Sequence, residues 1–218
     1  MTGQGGKGAK RPAGGAVTEM LLRQLLEALR EHHVAAYDEP YDGKLYGPPP
    51  RGPLAEFMKK KGKMLPPSYI RFLRQHNGWK GYAGGFTLMG VTGRHTADAR
   101  RDIKETIELF EDGWAAQYGK PTEESIAAFE ARSRDEAVYV GRLVSFGTDF
   151  NGALLLFDNR RRRRDGEMDV LLWDSSGPSR RYRAFGSMLE SDLKEIRRET
   201  RQLASRRKSR AAGPDRSR

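Results

Sequence analysis

The fold of this chain is limited above all by its apolar pattern, which changes from helical spacing near the start to short continuous runs in the second half. Apolar runs at residues 138–140, 154–157 and 170–173 are bounded by glycine, aspartate and asparagine, a composition typical of short strands between turns. Residues 17–34 instead carry apolar side chains at helical spacing, after a cap at Thr18. Helices followed by strands predict a single α+β domain with a mixed or antiparallel sheet packed against helices.

The same reasoning places the remaining elements. Helical spacing predicts helices at about 54–61, 97–117 and 122–132, and from residue 185 past 196 into the basic end. A glycine-flanked run at 85–90 predicts a strand. Prolines and glycines break any period in residues 35–53, which predicts a linker or a loop.

The positive charge of the chain lies mostly at its ends. The formal net charge is +11, of which residues 1–16 carry +3 and residues 201–218 carry +6, so residues 17–200 carry only +2. Both ends are polar and low in apolar residues, a composition that favours disorder. We therefore predict a disordered basic arm at 1–16, a folded domain at 17–200 and a disordered basic tail at 201–218.

Composition also excludes several kinds of site. The chain has no cysteine, so disulfides, thiol nucleophiles and zinc ribbons are ruled out. The four histidines show no chelating arrangement, and the glycine-rich residues 3–8 have no strand before them that could build a dinucleotide site. No apolar run is long enough for a membrane span or a signal peptide. We expect a cytoplasmic protein that is not an enzyme and needs no cofactor or metal.

The most informative passage is residues 65–78, which read LPPSYIRFLRQHNG. Proline is tolerated in a first helical turn, and Tyr69, Phe72, Leu73 and His76 then fall on one helical face. The following asparagine and glycine are residues that commonly end a helix. The passage predicts a short helix with one buried face, and a partly buried structural role for the histidine.

This passage, together with several later segments, resembles the SUKH superfamily of cell-wall-assembly-regulator-like proteins and bacterial immunity proteins. The likeness spans about residues 54–196. The segments that carry it are, in chain order, 65–78, 147–152 (GTDFNG), Phe157-Asp158, Val170 with Trp173-Asp174, and Ala184-Phe185 with Leu189.

The resemblance implies one α+β domain that binds proteins without catalysis, often an immunity protein against a polymorphic toxin domain. Three features depart from the family pattern: a long stretch at 93–136, the arginine run at residues 160–164, and both tails. Immunity proteins against basic nucleases are usually acidic, because opposite potentials steer the encounter. The basic charge of this chain therefore favours another toxin class or a role outside immunity.

The arginine run admits two interpretations. Its guanidinium groups, with Arg161 and Arg162 at the centre, suit an acidic protein partner, phosphate or a membrane surface. Equally, a charged hairpin tip keeps a sheet soluble and blocks pairing at its edge.

Other candidate contact residues come from composition. Aromatic side chains are enriched at the energetic centres of interfaces, which makes Trp79, Tyr82 and Trp173 candidates, although Trp173 also suits a core. Asp149 and Asp158 flank a predicted hairpin, where we favour a role in turns over contact with a partner.

Two further functions stay open. A nucleic-acid-associated protein would hold phosphate weakly and nonspecifically through its basic tails. A hydrolase would need a cleft in which carboxylates or histidines converge with perturbed pKa values.

Overall fold

The computed structural model of the protein describes residues 17–132, 138–174 and 177–211. Within these ranges the chain forms six helices and seven strands. The helices are α1 (Glu19–Tyr37), α2 (Arg51–Lys61), α3 (Pro67–Gln75), α4 (Arg94–Tyr118), α5 (Glu123–Arg132) and α6 (Phe185–Ala211). The strands are β1 (Lys44–Leu45), β2 (Trp79–Tyr82), β3 (Phe86–Leu88), β4 (Val144–Thr148), β5 (Leu154–Asp158), β6 (Asp169–Asp174) and β7 (Gly177–Tyr182).

All seven strands form one antiparallel sheet in the order β1 to β7, so each strand lies beside its neighbour in the chain. The α+β class predicted from the sequence is confirmed, with the antiparallel form of the sheet.

The sheet is covered by helices on both faces. Side chains of β5 alternate between them: Leu155 and Phe157 join the larger core with α1, α3 and α6, while Leu154 and Leu156 join a second core with α4. All five residues of β5 are buried, which explains why its sequence is a continuous apolar run rather than an alternating one.

The helix α3 has the apolar face predicted for it. Tyr69, Phe72 and Leu73 are buried, and the helix ends at Gln75. Gly78 then takes a left-handed conformation with φ of 89°, where a Cβ atom would lie 2.6 Å from the carbonyl oxygen of Leu88. Only glycine fits this turn into β2.

His76 has the structural role predicted for it. Its ring lies 2.9 Å from the Tyr46 carbonyl oxygen through Nδ1 and 3.0 Å from Glu19 Oε2 through Nε2. The histidine therefore ties the end of α3 to the start of α1.

The strand predicted at residues 138–140 is wrong. Val138 and Val140 are buried in the core beneath α4, and Tyr139 packs in a satellite cluster with Trp114 and Ile126. Their apolar character therefore reflects cover by helices, not pairing in a sheet. The strand begins later, at Val144.

Two other boundaries differ from the prediction. Residues 35–53 contain the short strand β1 and the first residues of α2. The helix α6 continues to Ala211, so the domain boundary expected at residue 200 falls inside a helix. The predicted arm at 1–16 and residues 212–218 of the predicted tail lie outside the described residues. None of the helices in the described ranges combines the length with the apolar character that a membrane span requires.

Candidate partner-binding groove

The arginine run is built into the fold around a buried carboxylate. Asp158, at the end of β5, is fully buried and accepts bonds from Arg160 Nε at 2.8 Å and Arg181 Nη1 at 3.1 Å. Burial alone would raise the pKa of Asp158, but the hydrogen bonds and charges of the two guanidinium groups outweigh it and lower the pKa below its ordinary value. Asp158 is therefore not available to a partner, which corrects its place among the candidate contacts.

These ion pairs extend across four elements. Arg160 also reaches Glu130 of α5 at 2.6 Å, and Arg181 of β7 also reaches Asp169 at 3.2 Å. Arg163 also forms an ion pair with Asp169, at 2.8 Å. The arginines thus hold α5 and the ends of β5, β6 and β7 together.

Arg162 is exposed but is hydrogen-bonded to the loop before α3. Its guanidinium donates to the carbonyl oxygens of Lys63 at 2.8 Å and Leu65 at 2.9 Å, just before α3. Arg161 is exposed. Neither interpretation of the run from the sequence describes it well, because at least three of its five side chains satisfy groups within the fold.

The three aromatic candidates belong to the core. Trp79, Tyr82 and Trp173 are exposed by only 0%, 2% and 4%. The indole Nε1 of Trp79 donates to the Tyr41 hydroxyl at 3.1 Å, and Trp173 packs edge-on against Phe110. These side chains present no surface to a partner, so their predicted contact role is corrected.

Asp149 shapes a turn, the role that we favour for it from the sequence. Its Oδ1 accepts from the backbone N–H groups of Asn151 at 2.8 Å and Ala153 at 2.9 Å, between β4 and β5. Phe150, within the same turn, takes a left-handed conformation and is half exposed.

A groove that the sequence did not reveal lies where α2, α3, α4 and β4 meet. Its volume is about 540 Å³, within the range of about 300 to 1,000 Å³ that is typical of ligand sites. Its apolar lining comes from residues distant in the chain: Phe57, Met64, Leu65, Met89, Leu143 and Phe146. No single segment carries enough of this lining to be recognised as a motif.

The floor of the groove is uncharged. Burial raises the pKa of Tyr69, so its phenol stays protonated and donates to the carbonyl oxygen of Met89 at 2.5 Å. The ring is also packed against Phe146. The phenol at the floor is therefore satisfied within the protein.

The rim of the groove is basic. Lys60, Lys61 and Arg100 line it, with no carboxylate among the described lining residues. Arg100 also borders a shallower depression of about 370 Å³ along α4, which carries Lys104 and Glu108, paired at 3.3 Å. Met89 and Ser145 line both depressions, so they form one continuous surface.

One edge of β4 opens into this groove. β3 pairs with β4 only as far as the bond from Met89 N–H to the Phe146 carbonyl oxygen at 2.8 Å. Beyond it Gly90 N–H donates to the Thr96 hydroxyl, which turns the chain away towards α4. Val144 and Ser145 are half buried and pair with β5 on their other side.

A second, smaller pocket of about 220 Å³ lies beside α6 and β7 and includes Asp192. Burial raises the pKa of Asp192, although hydrogen bonds from Tyr82 and Tyr182 lower it in part. The neighbouring Glu195 is paired with Arg180 at 2.6 Å. Both carboxylates are thus engaged within the fold, and we assign this cluster a structural role. In the described ranges, no three metal-ligating side chains converge as they would around a cation.

Comparison with family models gives a match to one family. No curated protein matches the chain significantly. The model of the SMI1 / KNR4 family (SUKH-1) matches residues 51–191, which run from the first residue of α2 into α6 and include the whole groove. As this match covers well over half of the chain, the protein belongs to the SMI1 / KNR4 (SUKH-1) family.

Proposed function

We propose that this protein is a non-catalytic binding domain of the immunity type, which neutralises a toxin domain by binding it directly in the bacterial cytoplasm. Family membership is consistent with an immunity-type or a regulatory domain. The observation that carries the proposal is the groove, which joins an apolar floor to a basic rim within the matched region.

The composition of the groove suits a protein partner. Apolar side chains at the centre of a patch supply affinity when a partner excludes water from them, and charges at its rim steer the encounter and set specificity. The basic rim favours a partner whose contact surface is acidic. A basic nuclease is therefore a poor fit, whereas a toxin with an acidic contact surface is a good one.

The proposal is tested by capturing the partner protein from a lysate and then by measuring whether co-expression rescues growth. Tagged full-length protein is incubated with nuclease-treated host lysate, washed at high salt, and the retained proteins are identified. We expect a secreted protein with a C-terminal toxin domain, and co-expression of the two chains should restore growth that the toxin domain alone arrests.

A matched pair of variants assigns the effect to the groove. The double change Lys61→Glu and Arg100→Glu reverses two rim charges and should weaken capture and rescue. Lys59→Glu with Arg101→Glu makes the same charge change on the same two helices, at exposed residues outside the groove lining, and should leave both unchanged. Capture of a toxin domain without rescue of growth would rule out the immunity role.

A second candidate function rests on the basic end of α6. Arg201, Arg206, Arg207 and Lys208 are exposed on one continuous helix, and such a surface attracts nucleic-acid phosphates in a salt-dependent way. This function would make the protein a nucleic-acid-associated regulator.

A further inference from the structure

We propose that the groove receives an extended acidic segment of the partner, which adds a strand to the free edge of β4. The proposal deepens the binding function proposed above and rests on it. It specifies the conformation and the charge of the partner segment.

The edge of β4 provides the backbone pairing. An exposed strand edge presents N–H and C=O groups that an extended peptide can satisfy, and alternate side chains of that peptide then enter pockets on one face. Because β3 ends at Leu88 while β4 begins at Val144, the first residues of β4 extend beyond their partner strand on that side. A new strand would lie about 4.8 Å from β4, in the space that the groove occupies.

The apolar floor provides the side-chain pockets. Met64 and Leu65, adjacent in the chain just before α3, and Met89, just after β3, lie around this edge. Methionine adapts its shape to different apolar groups, so this floor suits alternate apolar side chains of an added strand. The remaining side chains of that strand would point towards the rim.

Charge selects the partner. Lys60, Lys61 and Arg100 line the groove, whereas Lys104, farther along α4, is paired with Glu108. The Lys60 ammonium already pairs with Glu56 at 2.5 Å, whereas no ion pair involves Lys61 or Arg100 in the described structure. A segment that alternates acidic and apolar residues complements both features of the groove.

The same charge argues against the ends of this chain as the occupant. Residues 1–16 carry +3 and residues 201–218 carry +6, so either end would meet a rim of its own sign. Nucleic acid has the right sign, but it offers no row of amide groups to pair with β4.

The first experiment uses a displayed library of short random peptides, selected on the full-length protein. We expect enrichment of peptides in which Asp or Glu alternates with apolar residues. Affinity should fall about tenfold for the Lys61→Glu, Arg100→Glu variant, because each reversed exposed charge makes a modest contribution, and should be unchanged for Lys59→Glu, Arg101→Glu. Enrichment of neutral or basic peptides, or of none, would overturn the proposal.

A second experiment tests the strand itself. The best peptide is made in two forms, N-methylated at odd or at even positions. A strand uses alternate N–H groups on one edge, so only one form should lose binding, and the peptide should slow amide exchange at Val144 or Ser145. Equal loss in both forms, equal retention in both, or competition by an oligonucleotide for the same site would reject strand addition.

These outcomes separate the two proposals. If the lysate yields a toxin domain whose capture is unaffected by the rim variant, the binding function stands and the strand model fails. If an acidic peptide binds as described while no toxin domain is captured, the strand model stands and the immunity assignment fails.

Discussion

Asp158 shows how a single buried carboxylate determines the role of a charged segment. Five consecutive arginines suggest a solvated or phosphate-binding surface when only the sequence is considered. In the structure Asp158 binds the first of them together with Arg181 of β7, and the run becomes part of the sheet end. The sequence shows the aspartate beside the arginines but not its depth, because burial depends on α5 and β7 packing over it.

The ion pairs of Asp158 predict a pH-dependent stability. Because its pKa is lowered below the ordinary value of 3.8, the stabilisation is present above that pH and is lost as the pH falls through the lowered pKa. Replacing Asp158 by Asn should lower the free energy of unfolding at neutral pH by about 2 kcal/mol, since two guanidinium groups lose their shared buried anion. Arg160 keeps its pair with Glu130 and Arg181 its pair with Asp169. Urea unfolding at a series of pH values measures this difference.

The difference between wild type and Asp158→Asn should narrow as the pH falls below 3.8, because the wild-type carboxyl is then also neutral. Asp165→Asn is the control: Asp165 is more exposed and lies 3.8 Å from Arg163, so the change should cost less than about 1 kcal/mol. A difference for Asp158→Asn that is constant with pH would show that its charge is not what stabilises the fold.

At the scale of the elements, the basic end of α6 should contribute to nucleic-acid binding but not to stability. The side chains of residues 201–209 are exposed, apart from a half-buried Leu203. A chain that ends at Thr200 should therefore keep its free energy of unfolding within about 0.5 kcal/mol. If the second candidate function is right, it should also lose the weak retention of duplex DNA that the full chain shows at low salt.

A second variant removes the positive charges but keeps the helix. Replacing Arg201, Arg206, Arg207 and Lys208 by Gln preserves helix-forming residues and should reduce DNA retention as truncation does. Retention that survives both changes, or that persists at high salt, would argue against a role of this helix end in binding phosphate.

The elements also show which features a sequence pattern can reveal. The faces of α1, α3, α4 and α6 could be predicted because their apolar spacing is produced by the core they cover. The strand β4 escapes prediction because it contains Ser145 and Gly147, which weaken the strand signal, and β7 because it contains Pro178 and two arginines. The groove could not be predicted at all, since its lining comes from four elements that meet only after folding.

For the molecule as a whole, the separation of a satellite cluster from the two cores of the sheet predicts unequal local stability. The satellite cluster around Trp114 and Ile126 lies under α5, outside the two cores that cover the sheet. Ile126→Ala should therefore speed amide exchange mainly in α5 while the global free energy of unfolding falls little. Leu156→Ala, in the centre of β5, should lower the global value by about 2 to 5 kcal/mol.

Hydrogen exchange measured residue by residue detects both effects on the full chain. Faster exchange in β5 and β6 on changing Ile126 would show that α5 unfolds together with the sheet. Faster exchange confined to the neighbours of Leu156 would show that the two cores open separately.

The order of the strands has a consequence for how the protein folds. β4 to β7 are joined by three short hairpin connections, whereas residues 46–78 and 89–143 separate β1 from β2 and β3 from β4. Local hairpins form early because little chain entropy is lost in closing them. The last four strands should thus assemble as a kinetic nucleus onto which the first three dock. The free-energy cost of closing a flexible loop rises by only about 0.6 kcal/mol for each doubling of its length. Residues inserted between the helices of the β3–β4 connection should therefore leave the order of the strands unchanged.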